Sequence, residues 1–153
     1  MILWRLSGVE HARAFDGGYG LLFDGRWNTM GRPVTYAATS PSLCVLEQLV
    51  HIEDPALMPA LVMVCYEAPD DLAIARMALT DLPDDWTRAE SVTQAAGNAW
   101  HAALETPLLQ FPSAIVPVAG SPDLNLVINH RHPDAARIRI AAAEPFTLGV
   151  RLF

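Results

Sequence analysis

The chain has 153 residues, 52% of them hydrophobic and 18% charged, with a formal net charge of -7. That length suits one domain of residues 1–153 that buries roughly two thirds of its unfolded surface; the composition is that of a folded globular protein, not a disordered one. The acidic balance argues against a nucleic-acid surface of its own, which would need clustered cations to displace counterions, and leaves room for a cationic partner.

All ten cations are arginine. Genome base composition accounts for this without any function; guanidinium forks suited to phosphate or carboxylate are the functional alternative. Composition does not separate the two. Cys44 and Cys65 lie far apart in apolar runs and form no CxxC pair. They are expected to be reduced core residues of a cytosolic protein. The start, MILWRLSGVEHARAF, carries no secretion pattern, and no run of about 18 apolar residues marks a membrane span.

In chain order, MILWRL predicts a first strand. Residues 7 to 33 read as a long irregular segment with one helical turn near EHARAF, and long loops in compact domains are often functional. PVTYAA, residues 33 to 38, predicts a short strand. A helix follows, capped by Ser40 with Pro41 in its first position and with Leu43, Leu46, Leu49 and Val50 as its apolar stripe. PALVMVCYEAP is the clearest strand, a continuous apolar run between prolines. DLPDDW is a turn, and residues 88 to 104 form a second helix with Val92, Ala96, Trp100 and Ala103 on one side. Gly97 in its middle costs roughly 1 kcal/mol against alanine, so close packing or a ligand is expected there. SAIVPV, LNLVIN, ARIRIAAA and FTLGVRLF predict strands. Strands and helices mix without regular βαβ alternation, which indicates an α+β fold with mostly antiparallel pairing.

Three residues stand out chemically. Glu47 emerges beside the helix stripe, where an ionised carboxylate needs a partner; it is either a solvated edge residue or the acid at the floor of a cleft. Arg26 lies between Gly25 and Gly31, where backbone can approach a ligand closely. It either ties a backbone carbonyl or holds a phosphate. Tyr36 is either a satisfied core tyrosine or a platform for a planar ring. Singly, none of these alternatives is decided. In HRHPD, residues 130 to 134, His130, His132 and Asp134 could chelate a metal, but Pro133 and the preceding asparagine favour a structural turn. Ser113 in FPSAIVP lacks a nucleophile elbow. GGYG at residues 17 to 20 is no phosphate loop.

Taken together, WR at residues 4 and 5, GRWN at 25 to 28, G-x-P-V-x-Y from Gly31 to Tyr36, Ser40 with Glu47, FPSAIVP at 111 to 117, LNLVIN at 124 to 129 and HPD at 132 to 134 resemble the RES domain family. Those proteins are toxins of type II toxin–antitoxin pairs, and their usual partner is an Xre-like antitoxin. The resemblance implies a fold similar to ADP-ribosyltransferases, NAD as substrate and no metal. It maps the family's arginine onto Arg26, its tyrosine onto Tyr36, its glutamate onto Glu47 and its serine onto Ser113. Arg26 would clamp the pyrophosphate, Tyr36 would stack on nicotinamide, and Glu47 would stabilise positive charge developing on the ribose. Ser113 would hydrogen-bond the ribose or the carboxamide. The acceptor of ADP-ribose stays open among water, phosphate and a protein side chain. An acidic toxin suits a cationic, DNA-binding antitoxin that covers the cleft in a hetero-oligomer, so DNA is reached only through that partner. A metal-dependent hydrolase at His130, His132 and Asp134, and a non-catalytic partner-binding module, are the competing readings. Two departures from the family pattern are Thr29, where proline is usual, and Asn98, where aspartate is common.

Overall fold

The computed structural model describes residues 1–149 and 151. Seven strands and three α-helices follow in the order β1 (Ile2–Gly8), α1 (Gly18–Leu22), β2 (Val34–Ala38), α2 (Pro41–Leu49), β3 (Leu61–Glu67), β4 (Ile74–Arg76), α3 (Glu90–Ala103), β5 (Leu108–Pro112), β6 (Leu124–Asn129) and β7 (Arg139–Phe146). The expected α+β architecture is therefore present. The sheet order is β4-β5-β6-β2-β1-β3-β7, and among the described residues only the β4–β5 pair is parallel.

The sheet has a seam. β1 runs fully paired with β3 from Ile2↔Glu67 to Gly8↔Leu61, and β2 runs fully paired with β6 from Val34↔Asn129 to Ala38↔Asn125. Between β1 and β2 a single register pair, Trp4↔Ala38, joins the two halves. Successive strand residues face opposite sides, so each face gathers its own core. Leu3, Val64, Tyr66, Leu126 and Ile128 pack on one side. On the other, Trp27, Val34, Leu109, Phe111 and Val127 pack together. A third cluster, Ala38, Leu43, Cys44 and Met63 with Trp4 and Leu6, seats α2 across the seam.

Helix α2 starts as its sequence dictates. Ser40 is extended, its Oγ accepts the Leu43 N–H at 3.2 Å, and Pro41 occupies the first turn, a cap worth about 1 kcal/mol. Its buried positions are Leu43 and Cys44, however, while Leu46 and Val50 of the expected stripe are exposed. Helix α3 departs in the same way. It buries Thr93, Gly97 and His101, whereas Val92 and Ala103 face outward. Helix α3 lies on a loop that demands polar contacts and close approach, and that demand overrides the apolar spacing, whereas α2 turns Leu43 and Cys44 into the apolar cluster at the seam.

Three strand expectations shift. SAIVPV is not a strand: β5 ends at Pro112, because Ser113 Oγ accepts the N–H groups of Ile115 at 3.0 Å and Val116 at 3.2 Å and bends the chain out of the ladder. β4 arises where no strand is expected. In FTLGVRLF, Phe146 ends β7, residues 147 to 149 carry no strand, and Val150, Leu152 and Phe153 lie outside the described residues. The expected turn near EHARAF exists, closed by His11 N–H on Gly8 O at 3.0 Å and Ala14 N–H on His11 O at 3.1 Å. The glycine-rich GGYG forms the start of α1.

Candidate functional site

Residues 25 to 28 form a tight turn, closed by Gly25 N–H on Asn28 O at 2.9 Å. Arg26 and Trp27 sit at its corners. Trp27 turns inward, buried and stacked on Phe111 with ring centroids 4.4 Å apart. Arg26 stays half-buried; its Nη1 donates to Thr87 O at 3.2 Å, and that one bond leaves most of the five guanidinium N–H donors for an anion.

One face of α3 holds this turn. Gln94 Nε2 donates to Gly25 O at 3.0 Å, and Thr93 Oγ1 donates to Arg26 O. Asn98 accepts the Thr29 N–H at 3.0 Å and donates to Thr29 Oγ1 at 2.9 Å. Between them, a Cβ on Gly97 would stand 1.8 Å from Trp27 O. The glycine is there for close packing of helix on loop. The two departures from the family pattern meet each other: Thr29 offers an N–H that proline lacks, and Asn98 receives it.

From the sheet side Tyr36 completes the hold. Its hydroxyl accepts the Trp27 N–H at 3.0 Å and donates to Asn28 Oδ1 at 2.6 Å. Burial raises the phenol's pKa well above its ordinary value, so it remains a neutral donor. A Cβ on Gly25 would lie 2.5 Å from both Tyr36 Oη and Asn28 Oδ1, which explains that glycine as well.

Glu47 lies two turns into α2. Its Oε1 accepts from Ser113 Oγ at 2.8 Å and from Asn125 Nδ2 at 2.6 Å. Both bonds fall on one oxygen; Oε2 takes no bond among the described residues. Ser113 is fully buried, its hydroxyl proton directed to Glu47 and its lone pairs to the Ile115 and Val116 N–H groups. The register Ala38↔Asn125↔Phe111, with Tyr36 two residues from Ala38, puts Tyr36, Ala38, Phe111 and Asn125 on one sheet face. Arg26 and Glu47 flank that face, one from the α3-bound turn and one from α2. Thus Arg26, Tyr36, Glu47 and Ser113 belong to one region. Asn125, Gln94 and Thr93 join them without having been singled out in the sequence, and Asn98, noted there only as a departure from the family pattern, joins them too. The polar positions 93, 94, 97 and 98 on α3 are the one signal that could have shown it, since they share a helix face.

The HRHPD segment does other work. His130 Nε2 and Thr35 Oγ1 are 2.8 Å apart, and the ring lies edge-on to Phe15; burial lowers its pKa to about 4. His132 Nδ1 accepts the Asp134 N–H at 3.1 Å and caps a 3-10 turn at Pro133–Arg137. Among the described residues no three His, Cys, Asp or Glu side chains gather as metal ligands. A depression of about 410 Å³ lined by Phe15, His130 and Pro133 lies at this turn, apart from Arg26 and Glu47. Cys44 and Cys65 are free thiols, and burial pushes Cys44 up to about 12. No helix among the described residues is long and apolar enough to cross a membrane.

This arrangement defines a class before it defines a family: a mixed α/β domain with an arginine turn and a helix-borne acid beside one sheet surface. A chain of the M. tuberculosis MbcT–MbcA toxin–antitoxin complex shares the fold, with a TM-score of 0.74 at 21% identity over 95% of this chain and 84% of that one. The chain belongs to the RES domain family, which matches residues 2–149. It is 39% identical to "Toxin Res" of Pseudomonas putida over the full length of both. It is 36% identical to the "Prs ADP-ribosylating toxin" of a Sphingobium species, covering 89% of this chain and 86% of that protein. These relatives set it among the family's toxins.

Proposed function

We propose that this chain, read as one domain of residues 1–153, is the toxin of a toxin–antitoxin pair and consumes NAD by cleaving its nicotinamide–ribose bond. The observation that carries this reading is Glu47: a carboxylate tied through one oxygen to Ser113 and to Asn125, the latter on the sheet face that carries Tyr36, with its other oxygen unbonded among the described residues.

Cleavage moves the bonding electrons onto the nicotinamide nitrogen, and the departing ring leaves neutral. The ribose takes up positive charge. A fixed carboxylate stabilises that charge more than it stabilises the uncleaved substrate, and only such a difference accelerates the step. Glu47 holds this place. The Arg26 guanidinium, on a turn braced by α3 and Tyr36, binds the pyrophosphate. Tyr36 supplies a ring against nicotinamide. Ser113 holds the acid from behind, since its hydroxyl faces Glu47 and not open space. Water then adds at the ribose carbon and loses one proton, giving ADP-ribose; phosphate in its place gives the phosphorolytic product. No step requires a metal.

The test is nicotinamide release from NAD by the purified protein. Release is expected, and Glu47→Gln is expected to lower it at least about 10²-fold with an unchanged melting temperature. No release alone, with phosphate or with cell extract would overturn the reading. The Sphingobium relative's name favours a second reading, transfer of ADP-ribose to a protein. Labelled NAD decides between them, since label on a protein in cell extract marks transfer and free ADP-ribose marks depletion. We further propose an Xre-like antitoxin as partner, covering the cleft. Exposed Tyr19, Leu21, Leu22, Phe23 and Met30 beside the Arg26 turn, with Leu46 and Val50 beside Glu47, form an apolar rim suited to a protein cover.

A further inference from the structure

Asn125 stands on β6 opposite Ala38 and Phe111, and Ala38 is small enough to leave the amide a path to α2. Its Nδ2 lies 2.6 Å from Glu47 Oε1. An ionised carboxylate only accepts, so the amide presents its nitrogen to Glu47. The approach is fixed by bonds to the three residues just before it. Thr39 Oγ1 donates to Pro122 O at 2.9 Å and accepts the Leu124 N–H at 2.9 Å. Ser40 Oγ donates to Asp123 Oδ1 at 2.7 Å. Residues 122 to 124 are thereby fastened to Thr39 and Ser40 at the entry to α2, and Asn125 follows with Glu47, further along the helix, as its target.

We propose that Asn125 is a positioning residue of this site. Resting on the NAD reading above, the proposal is that its amide fixes which oxygen of Glu47 is tied and which faces the ribose. Without that donor the carboxylate keeps only the Ser113 bond and can rotate about it. A misplacement of about 1 Å is enough to cost about 10²-fold in rate.

Asn125→Asp is the informative variant because it keeps the shape and removes the donor. At neutral pH it sets a second carboxylate against Glu47; at lower pH the two carboxyls share one proton and the new side chain can donate again. The expected result is a fall in kcat for nicotinamide release of about 10²-fold near neutral pH. KM for NAD should change less than about threefold, and activity should recover in part as the pH is lowered. Asn125→Ala should show the same loss without the recovery, and it carries the test if the aspartate variant fails to fold. A kcat within about twofold of wild type in both variants overturns the proposal, as does a rise in KM with kcat unchanged, which would make Asn125 a substrate contact. A wild-type protein that releases no nicotinamide removes the NAD reading itself and this role with it, an outcome distinct from equal activity in wild type and variants.

Discussion

Replacing Gly97 by alanine sets two effects of opposite sign against each other. In an exposed helix interior the change gains roughly 1 kcal/mol. Here the new methyl carbon would stand 1.8 Å from Trp27 O and 2.7 Å from Trp27 C. An optimal non-bonded separation is about 3.5 Å, so helix and turn must part by roughly 1.7 Å. Backbone stands on both sides, and neither side yields by a simple rotamer change. Overpacking of this kind costs about 1–3 kcal/mol, or roughly 2–12 °C in melting temperature for a chain of this size. The same displacement moves the turn that carries Arg26, so NAD consumption should fall by about 10²-fold. Thermal unfolding and nicotinamide release, measured on one preparation, check both numbers. A Gly97→Ala protein that melts higher than wild type with unchanged KM would refute the close-packing account of α3.

Tyr36→Phe leaves the Trp27 N–H and Asn28 Oδ1 without their shared partner and should destabilise by about 1–3 kcal/mol in urea unfolding. Asn98→Ala removes both bonds to Thr29 while Thr29→Ala removes only the one to its hydroxyl, and a double-mutant cycle should show a coupling of about 0.5–3 kcal/mol for that shared bond; strict additivity would deny the contact. His130 binds a proton near its ordinary value in the unfolded chain but only near pH 4 in the folded one. Between those limits the unfolded state holds more protons, so stability falls as pH drops from about 6.5 towards 4. Its neighbours there are Thr35, Phe15, Asp16 and Arg5. His130→Gln should lose less of its urea midpoint between about pH 7 and pH 5 than wild type does; equal losses would assign the acid sensitivity elsewhere.

Legibility in the sequence followed the range of each interaction. The Ser40 cap, the start of α2, β3 between its prolines and β6 as LNLVIN depend on near neighbours and could be read directly. β4 could not, because three residues show no periodicity and its parallel partner lies beyond residue 107. SAIVPV looked like a strand because apolar alternation is visible and a serine hydroxyl capturing two N–H groups is not. The cradle of Glu47 comes from positions 66 and 78 residues away. An asparagine in a strand gives no hint of what it faces. On α3 the apolar spacing drew the eye to Val92, Ala96, Trp100 and Ala103, while Thr93, Gln94 and Asn98 grip a loop.

The seam between β1 and β2 has a mechanical consequence. One rung, Trp4↔Ala38, joins the halves of the sheet, and α2 lies over that rung on side chains from both: Ala38 from one half, Met63 and Trp4 from the other. The helix is thus a rivet, and Glu47 rides on it, while Asn125 belongs wholly to the β2–β6 half. Hydrogen bonds fasten α2 and its entry to the β2–β6 half, through Ser40–Asp123 and Glu47–Asn125, whereas the β1–β3 half meets the helix through apolar packing. The acid is thus carried by one half of the sheet, and the other half is clamped to it by packing alone.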